Sequence, residues 1–215
     1  MVATAATRES KREIEKKYTL EEYFKREEKA TRKSEFHNGK IIPMAGGTYN
    51  HSVLSGAFHA ILFMMFLNSE EEAYILNSDY NIYVPKFDKA VYTDTFAVVG
   101  KKEFQQNSNR AVVNPTLIVE VASKSTERYD RSGKFRMYQS LPSFQEYVIA
   151  NQDAPIVEVF YKISENEWKV THYVGLDKTV KLISLNVELK MADLYRKVED
   201  LQDPQTAIDF PEEEE

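Results

Sequence analysis

Two carboxylates stand where the surrounding residues are otherwise apolar. Asp94 lies within Ala90-Val-Tyr-Thr-Asp-Thr-Phe-Ala-Val-Val99, and Glu120 within Pro115-Thr-Leu-Ile-Val-Glu-Val-Ala122. Both stretches read as buried strands, and a carboxylate carried into such a strand is costly unless paired or coordinated. Each acid is therefore a candidate functional group. If the strands are neighbours, the pair can hold one divalent cation, which would polarise a phosphodiester and lower the pKa of a bound water. The plainer alternative pairs each acid with a nearby base, or places it where its strand emerges into solvent.

Other chemistries find less support. With no Cys in the chain, disulfides, thiolate nucleophiles and thiolate-bound zinc are excluded. A metal site must then use carboxylate, carbonyl, water or imidazole, and carboxylate with carbonyl favours Mg²⁺ or Mn²⁺. His37, His59 and His172 lack metal-binding spacing and read as structural or exposed, and no His-x-x-x-His pair exists. His51, near a helix start and close to Glu35 in the expected fold, could orient a carboxylate, touch phosphate, or simply bond to backbone. Gly-x-Ser-x-Gly and Gly-rich phosphate loops are absent, which removes serine hydrolases and P-loop enzymes. A glycosidase acid–nucleophile pair is a further use for two carboxylates, but few aromatic residues flank either one to hold a sugar.

The elements that must position these acids follow from pattern. At 215 residues, 42% hydrophobic with 13 Tyr and 12 Phe, the chain can build one substantial core. We expect a charged leader over residues 1–17, one domain over 18–200 and an acidic tail over 201–215. Thr19 with Glu22 forms a capping box opening a short helix. Asn38-Gly39 marks a hairpin between strands at 34–37 and 40–44. Residues 50–68 have helical periodicity, with His51, Leu54, Phe58, Ile61, Leu62 and Met65 near one face. Strands are expected at 73–76, 81–84, 90–99, 116–121, 146–150, 156–162, 168–174 and 179–183, with a loop at 101–110. Helices are expected at 130–141, N-capped by Asp130 and ended by Pro142, and at 192–198. Ser123, Ser125 and Thr126 read as a polar turn before the first of these. The sum is an α/β domain with a mixed sheet and helices on both sides.

Charge decides little. The formal net charge is −6, but residues 203–215 carry six acids and no bases, so the rest of the chain is neutral. That neither supports nor opposes a nucleic-acid substrate. The longest apolar run, residues 60–67, is far short of the roughly 20 residues a spanning helix needs, and no signal peptide is visible. A cytoplasmic location is expected.

The order strand–Asp–strand–Glu resembles the PD-(D/E)XK nuclease superfamily, and the wider pattern resembles the Uma-two family of restriction-endonuclease-like proteins. The matching features are Tyr18-Thr-Leu-Glu-Glu-Tyr23, Glu35 through Asn38-Gly-Lys-Ile-Ile42, and His51 opening the long helix. They continue through Thr93-Asp94, Leu117-Ile-Val-Glu-Val-Ala-Ser123, Ser125-Thr126, Asp130 followed by Lys134 and Tyr138, and Glu146-Tyr-Val-Ile149. The resemblance implies a restriction-endonuclease-like mixed sheet flanked by helices, with an N-terminal hairpin and a C-terminal antiparallel extension. It implies a Mg²⁺- or Mn²⁺-dependent endonuclease acting on DNA, or a catalytically inactive module of that fold binding nucleic acid or a protein partner. It also suggests a homodimer, since such nucleases often pair to cut both strands. Asp94, Glu120 and the backbone carbonyl of Val121 would be metal ligands, with Glu35 orienting water or a second ion. The superfamily's lysine, two residues after the glutamate, is replaced here by Ala122. Lys134 is the matching residue from the next helix, with Lys124 its competitor. Its ammonium would stabilise charge on the phosphate or help deprotonate water. Thr93 replaces a proline that shapes a turn and binds nothing.

Overall fold

Local signals set the first third of the chain. The computed structural model describes residues 16–106, 108–123 and 126–207. Thr19 accepts from the Glu22 amide while Glu22 caps back, starting α1 (Leu20–Glu27). Asn38 (φ 47°) and Gly39 (φ 87°) turn β1 (Ser34–His37) into β2 (Lys40–Pro43), the left-handed pair such a turn demands. Thr48 caps α2 (Tyr49–Phe66) by accepting from the His51 amide.

Strands β3 (Ala73–Asn77), β4 (Asn81–Val84), β5 (Lys89–Tyr92), β6 (Thr95–Val99), β7 (Ala111–Val112) and β8 (Leu117–Ala122) follow. The third helix runs as α3 (Glu127–Tyr129), a π turn at Asp130–Lys134, and α4 (Phe135–Tyr138). Then come β9 (Glu146–Asn151), β10 (Ile156–Ser164), β11 (Glu167–Val174), β12 (Thr179–Leu182), β13 (Val187–Lys190), α5 (Met191–Leu194) and α6 (Pro204–Ala207). Among the described residues, no helix is long and apolar enough to cross a membrane.

The strands form a five-stranded sheet, β2-β1-β5-β4-β7, a six-stranded sheet, β11-β10-β9-β8-β6-β3, and the β12-β13 hairpin. The expected strand over residues 90–99 is therefore two strands in different sheets. Strand β5 pairs with β1 and β4, whereas β6 pairs with β3 and β8, and Thr93-Asp94 is the crossing. Asp94, a poor strand former that interrupts the otherwise strand-forming stretch, falls at the change of partner. Asp94 consequently sits in the crease between sheets rather than within a strand.

The six-stranded sheet has a helix on each face. Strand β8 alternates: Leu117, Val119 and Val121 join the core under α2, with Leu54, Phe58 and Leu62. Phe66 completes that helix face, while Met65, expected there, is 43% exposed. Ile118 and Ala122 join the opposite core, with Met137 and Tyr138 of α4. Glu120 shares their parity and so points toward α4. Strands β8 and β9 pair in parallel across that helical connection, and the β10–β11 hairpin adds the expected antiparallel extension. The closing helix α5 is shorter than expected, and β7 and β13 are additional strands. A short helix, α6, begins within the segment read as a tail, of which residues 208–215 lie outside the described residues, as do residues 1–15 of the leader.

Candidate active site

The acids converge on one cavity of about 500 Å³, lined by Glu35, Asp94, Glu120, Val121, Asp130 and Lys134 with His51 and Gln152 on its walls. Asp94, in the crease, accepts from the Val121 amide through Oδ2 at 2.8 Å and meets His51 Nε2 through Oδ1 at 3.3 Å. This contact raises the His51 pKa above the usual imidazole range, against its burial. The carboxylate that His51 orients is thus Asp94 rather than Glu35. A residue's N–H and C=O leave an extended strand on the same edge, so the Val121 carbonyl also lies on the edge facing Asp94.

Glu120 is 4% exposed. Its Oε2 meets Lys134 Nζ at 3.0 Å, and its Oε1 accepts from the Tyr138 hydroxyl at 2.9 Å. Lys134 also reaches Asp130 Oδ1 at 3.0 Å. Burial pushes the Glu120 pKa up to about 8; Lys134 opposes this, and Asp94 and Asp130 reinforce it. Burial also works against the Lys134 ammonium, yet Glu120 and Asp130 outweigh it and hold that pKa above the ordinary lysine range. Burial above all raises the Tyr138 hydroxyl as well, leaving it a donor to Glu120.

Lys134 meets Glu120 from a helix and not from β8. Position 122 lies on the same face of β8 as Glu120, which is where the superfamily's lysine points. Ala122 joins the core there, and Lys134 reaches Glu120 from the helix packed on the same face. Asp130 was expected to cap this helix, but it lies inside, with αR geometry and 1% exposure. The helix begins a turn earlier, at Glu127, and the π turn stacks Asp130 beneath Lys134. The Ser123–Thr126 turn is closed by the Ser123 amide donating to Thr126 Oγ1; Lys124 and Ser125 lie outside the described residues.

Glu35 is held at the cavity edge by His37 Nε2 at 2.8 Å and by the Tyr92 amide at 3.2 Å. His37, expected to be structural or exposed, is the partner that fixes this acid. Tyr138 is the residue for which no role was expected. The signal for it is the i, i+4, i+8 spacing of Asp130, Lys134 and Tyr138, which puts all three on one helix face.

The donor set suits a hard divalent cation: two carboxylates and a strand-edge carbonyl, one carboxylate desolvated beside like charge. Among the described residues, no three histidine or carboxylate groups gather into a metal cluster.

Fold and cleft together define an α/β protein of restriction-endonuclease-like architecture. More narrowly, the chain belongs to the Uma2 (Uma-two) family, described as "Putative restriction endonuclease", whose profile matches residues 20–192. It is 33% identical over 169 residues to "Uncharacterized protein sll1609" of Synechocystis sp., covering 79% of this chain and 94% of that protein. It is 31% identical over 180 residues to "Uncharacterized protein slr1290" of the same organism, covering 84% and 92%. A crystal structure titled as "a putative nuclease belonging to DUF820" from Anabaena variabilis superposes with a TM-score of 0.64 at 15% identity, covering 83% of this chain and 98% of that one. At that identity the likeness speaks for the fold.

Proposed function

We propose that the protein is a Mg²⁺- or Mn²⁺-dependent endonuclease that hydrolyses phosphodiester bonds of DNA. The observation that carries this reading is the buried Glu120–Lys134 contact at 3.0 Å, in the same cavity as Asp94. Asp94, Glu120 and the Val121 carbonyl would hold the cation, which when bound would polarise the scissile phosphate and acidify a water. His51 and the Val121 amide keep Asp94 aimed into the cavity, and Tyr138 fixes the rotamer of Glu120. Glu35, anchored by His37 and the Tyr92 amide, would orient the attacking water. As the water oxygen bonds to phosphorus and its proton passes to solvent, the P–O bond to one sugar breaks, the leaving oxygen takes a proton from solvent, and negative charge builds transiently on the non-bridging oxygens. Lys134 would stabilise that charge. Held protonated by two carboxylates, it suits this role rather than that of a base taking the water's proton. Cutting both strands of a duplex calls for two such sites, which a homodimer would supply.

The test is plasmid cleavage with Mg²⁺ by the parent, Glu120→Ala and Lys134→Ala, each checked for folding by thermal denaturation. Cleavage by the parent and its loss in both folded variants is expected. Equal cleavage in all three would overturn the mechanism, and nucleic-acid binding without metal-dependent turnover would select the inactive module.

A further inference from the structure

The cavity does not end at the carboxylates. A second hollow of about 760 Å³ shares Asp94, His51, Gly46 and Gly47 with it and continues along α2 to Ser52, Ser55 and Arg32. Three features give this extension a chemistry. Its cations are Arg32 and Lys33, and among the described residues no acid lines it apart from the shared Asp94. Lys33 is already committed to Asp79 and the Ser78 carbonyl, each at 2.6 Å. Arg32 is exposed and makes no hydrogen bond or ion pair among the described residues. An arginine left unpaired beside a cleft keeps its planar donor fork for a ligand oxyanion.

The two glycines shape the floor. A Cβ at Gly47 would fall 2.9 Å from His51 Nδ1, so only glycine lets the loop lie against the ring that holds Asp94. A Cβ at Gly46 would meet nothing within 4 Å, leaving the groove open above it. On the α2 side the Ser52 hydroxyl adds a neutral donor, while the Ser55 hydroxyl donates to the Ser52 carbonyl at 3.2 Å.

We propose that the groove running from Asp94 over Gly46 to Arg32 seats the phosphodiester backbone flanking the scissile phosphate, with Arg32 as its phosphate contact. The proposal rests on the nuclease reading and adds the direction in which the strand leaves the site. Contacts of this type position the backbone and carry no base sequence.

A fluorescein-labelled DNA duplex, bound in Ca²⁺ instead of Mg²⁺ and followed by anisotropy across a salt series, tests it. Arg32→Ala should weaken binding on the order of fivefold and flatten the slope of log affinity against log salt by about 0.9. Arg32→Glu should weaken it further. Gly46→Asp, which puts a carboxylate into open space, should weaken it as well. Lys181→Ala, on β12 and paired with Glu188 across the β12–β13 hairpin, should bind as the parent does. Melting temperatures identify any variant that fails to fold. Parent-like affinity and salt slope in both folded Arg32 variants would overturn the groove while leaving the nuclease reading intact. Failure of the parent to bind any duplex would overturn both.

Discussion

Glu120 and Glu146 lie on neighbouring parallel strands, and each is almost completely buried, at 4% and 0% exposure. Burial raises both carboxyls. Their surroundings differ in kind. Glu146 accepts from the Ile183 amide at 2.9 Å, the Ser184 amide at 3.0 Å and the Ser184 hydroxyl at 2.6 Å. Fixed neutral donors satisfy it, and it pins a turn in the C-terminal region. Glu120 instead faces an open cavity, with two further carboxylates close enough to raise its pKa and a lysine shared between it and Asp130. A buried carboxylate is therefore no sign of function by itself. Like charges gathered beside it on a cavity wall, at a cost in stability, are the more informative sign.

That contrast can be broken by experiment. The largest expected effect is on catalysis: Glu120→Gln should lower plasmid cleavage on the order of a thousandfold, whereas folded Glu146→Gln should still cleave. Next is stability. Glu146→Ala strands buried amide donors and should cost about 2–4 kcal/mol, lowering the melting temperature by roughly 5–12 °C. Glu120→Gln, which keeps an acceptor for Tyr138 and leaves Lys134 its contact with Asp130, should lower it less. Tyr138→Phe removes only the donor to Glu120, and roughly a tenfold fall in cleavage is expected with the fold intact.

The smallest effect is a pH dependence. In the unfolded chain Glu120 ionises near 4.5, and in the fold near 8. Between those values the unfolded state binds fewer protons, so this residue makes metal-free stability fall as pH rises, by about 1 kcal/mol per pH unit near pH 6. Denaturant titrations of the parent at pH 5.5 and pH 7 should show the loss, and Glu120→Gln should show less of it. Equal pH dependence in the two would mean that Glu120 is already ionised throughout that range.

Much of this was legible in the residues. The Asn38-Gly39 turn, the capped α2 and the apolar β8 follow from local rules, and Asp94 and Glu120 stood out because they broke apolar stretches. What stayed hidden depends on partners distant in sequence. The break between β5 and β6 is a change of sheet, and a lone Asp94 does not distinguish that from a charge carried within one continuous strand. Asp130 before helix-forming residues looks like a cap, and only the earlier start at Glu127 places it inside the helix. The pairing of His51 with Asp94 requires α2 to pack across the crease, which no local pattern specifies. Lys134 was found through family likeness, and the parity of Glu120 on β8 explains afterwards why a helix could supply it.

The central claim is that Asp94 and Glu120 form a divalent-cation site that Glu146 does not share. Calorimetric titration of Mn²⁺ into the parent, Glu120→Gln and Glu146→Gln measures this without relying on turnover. The account predicts one binding event in the parent and in Glu146→Gln, and its loss in Glu120→Gln. Undiminished Mn²⁺ binding by Glu120→Gln, or none by the parent, would contradict it.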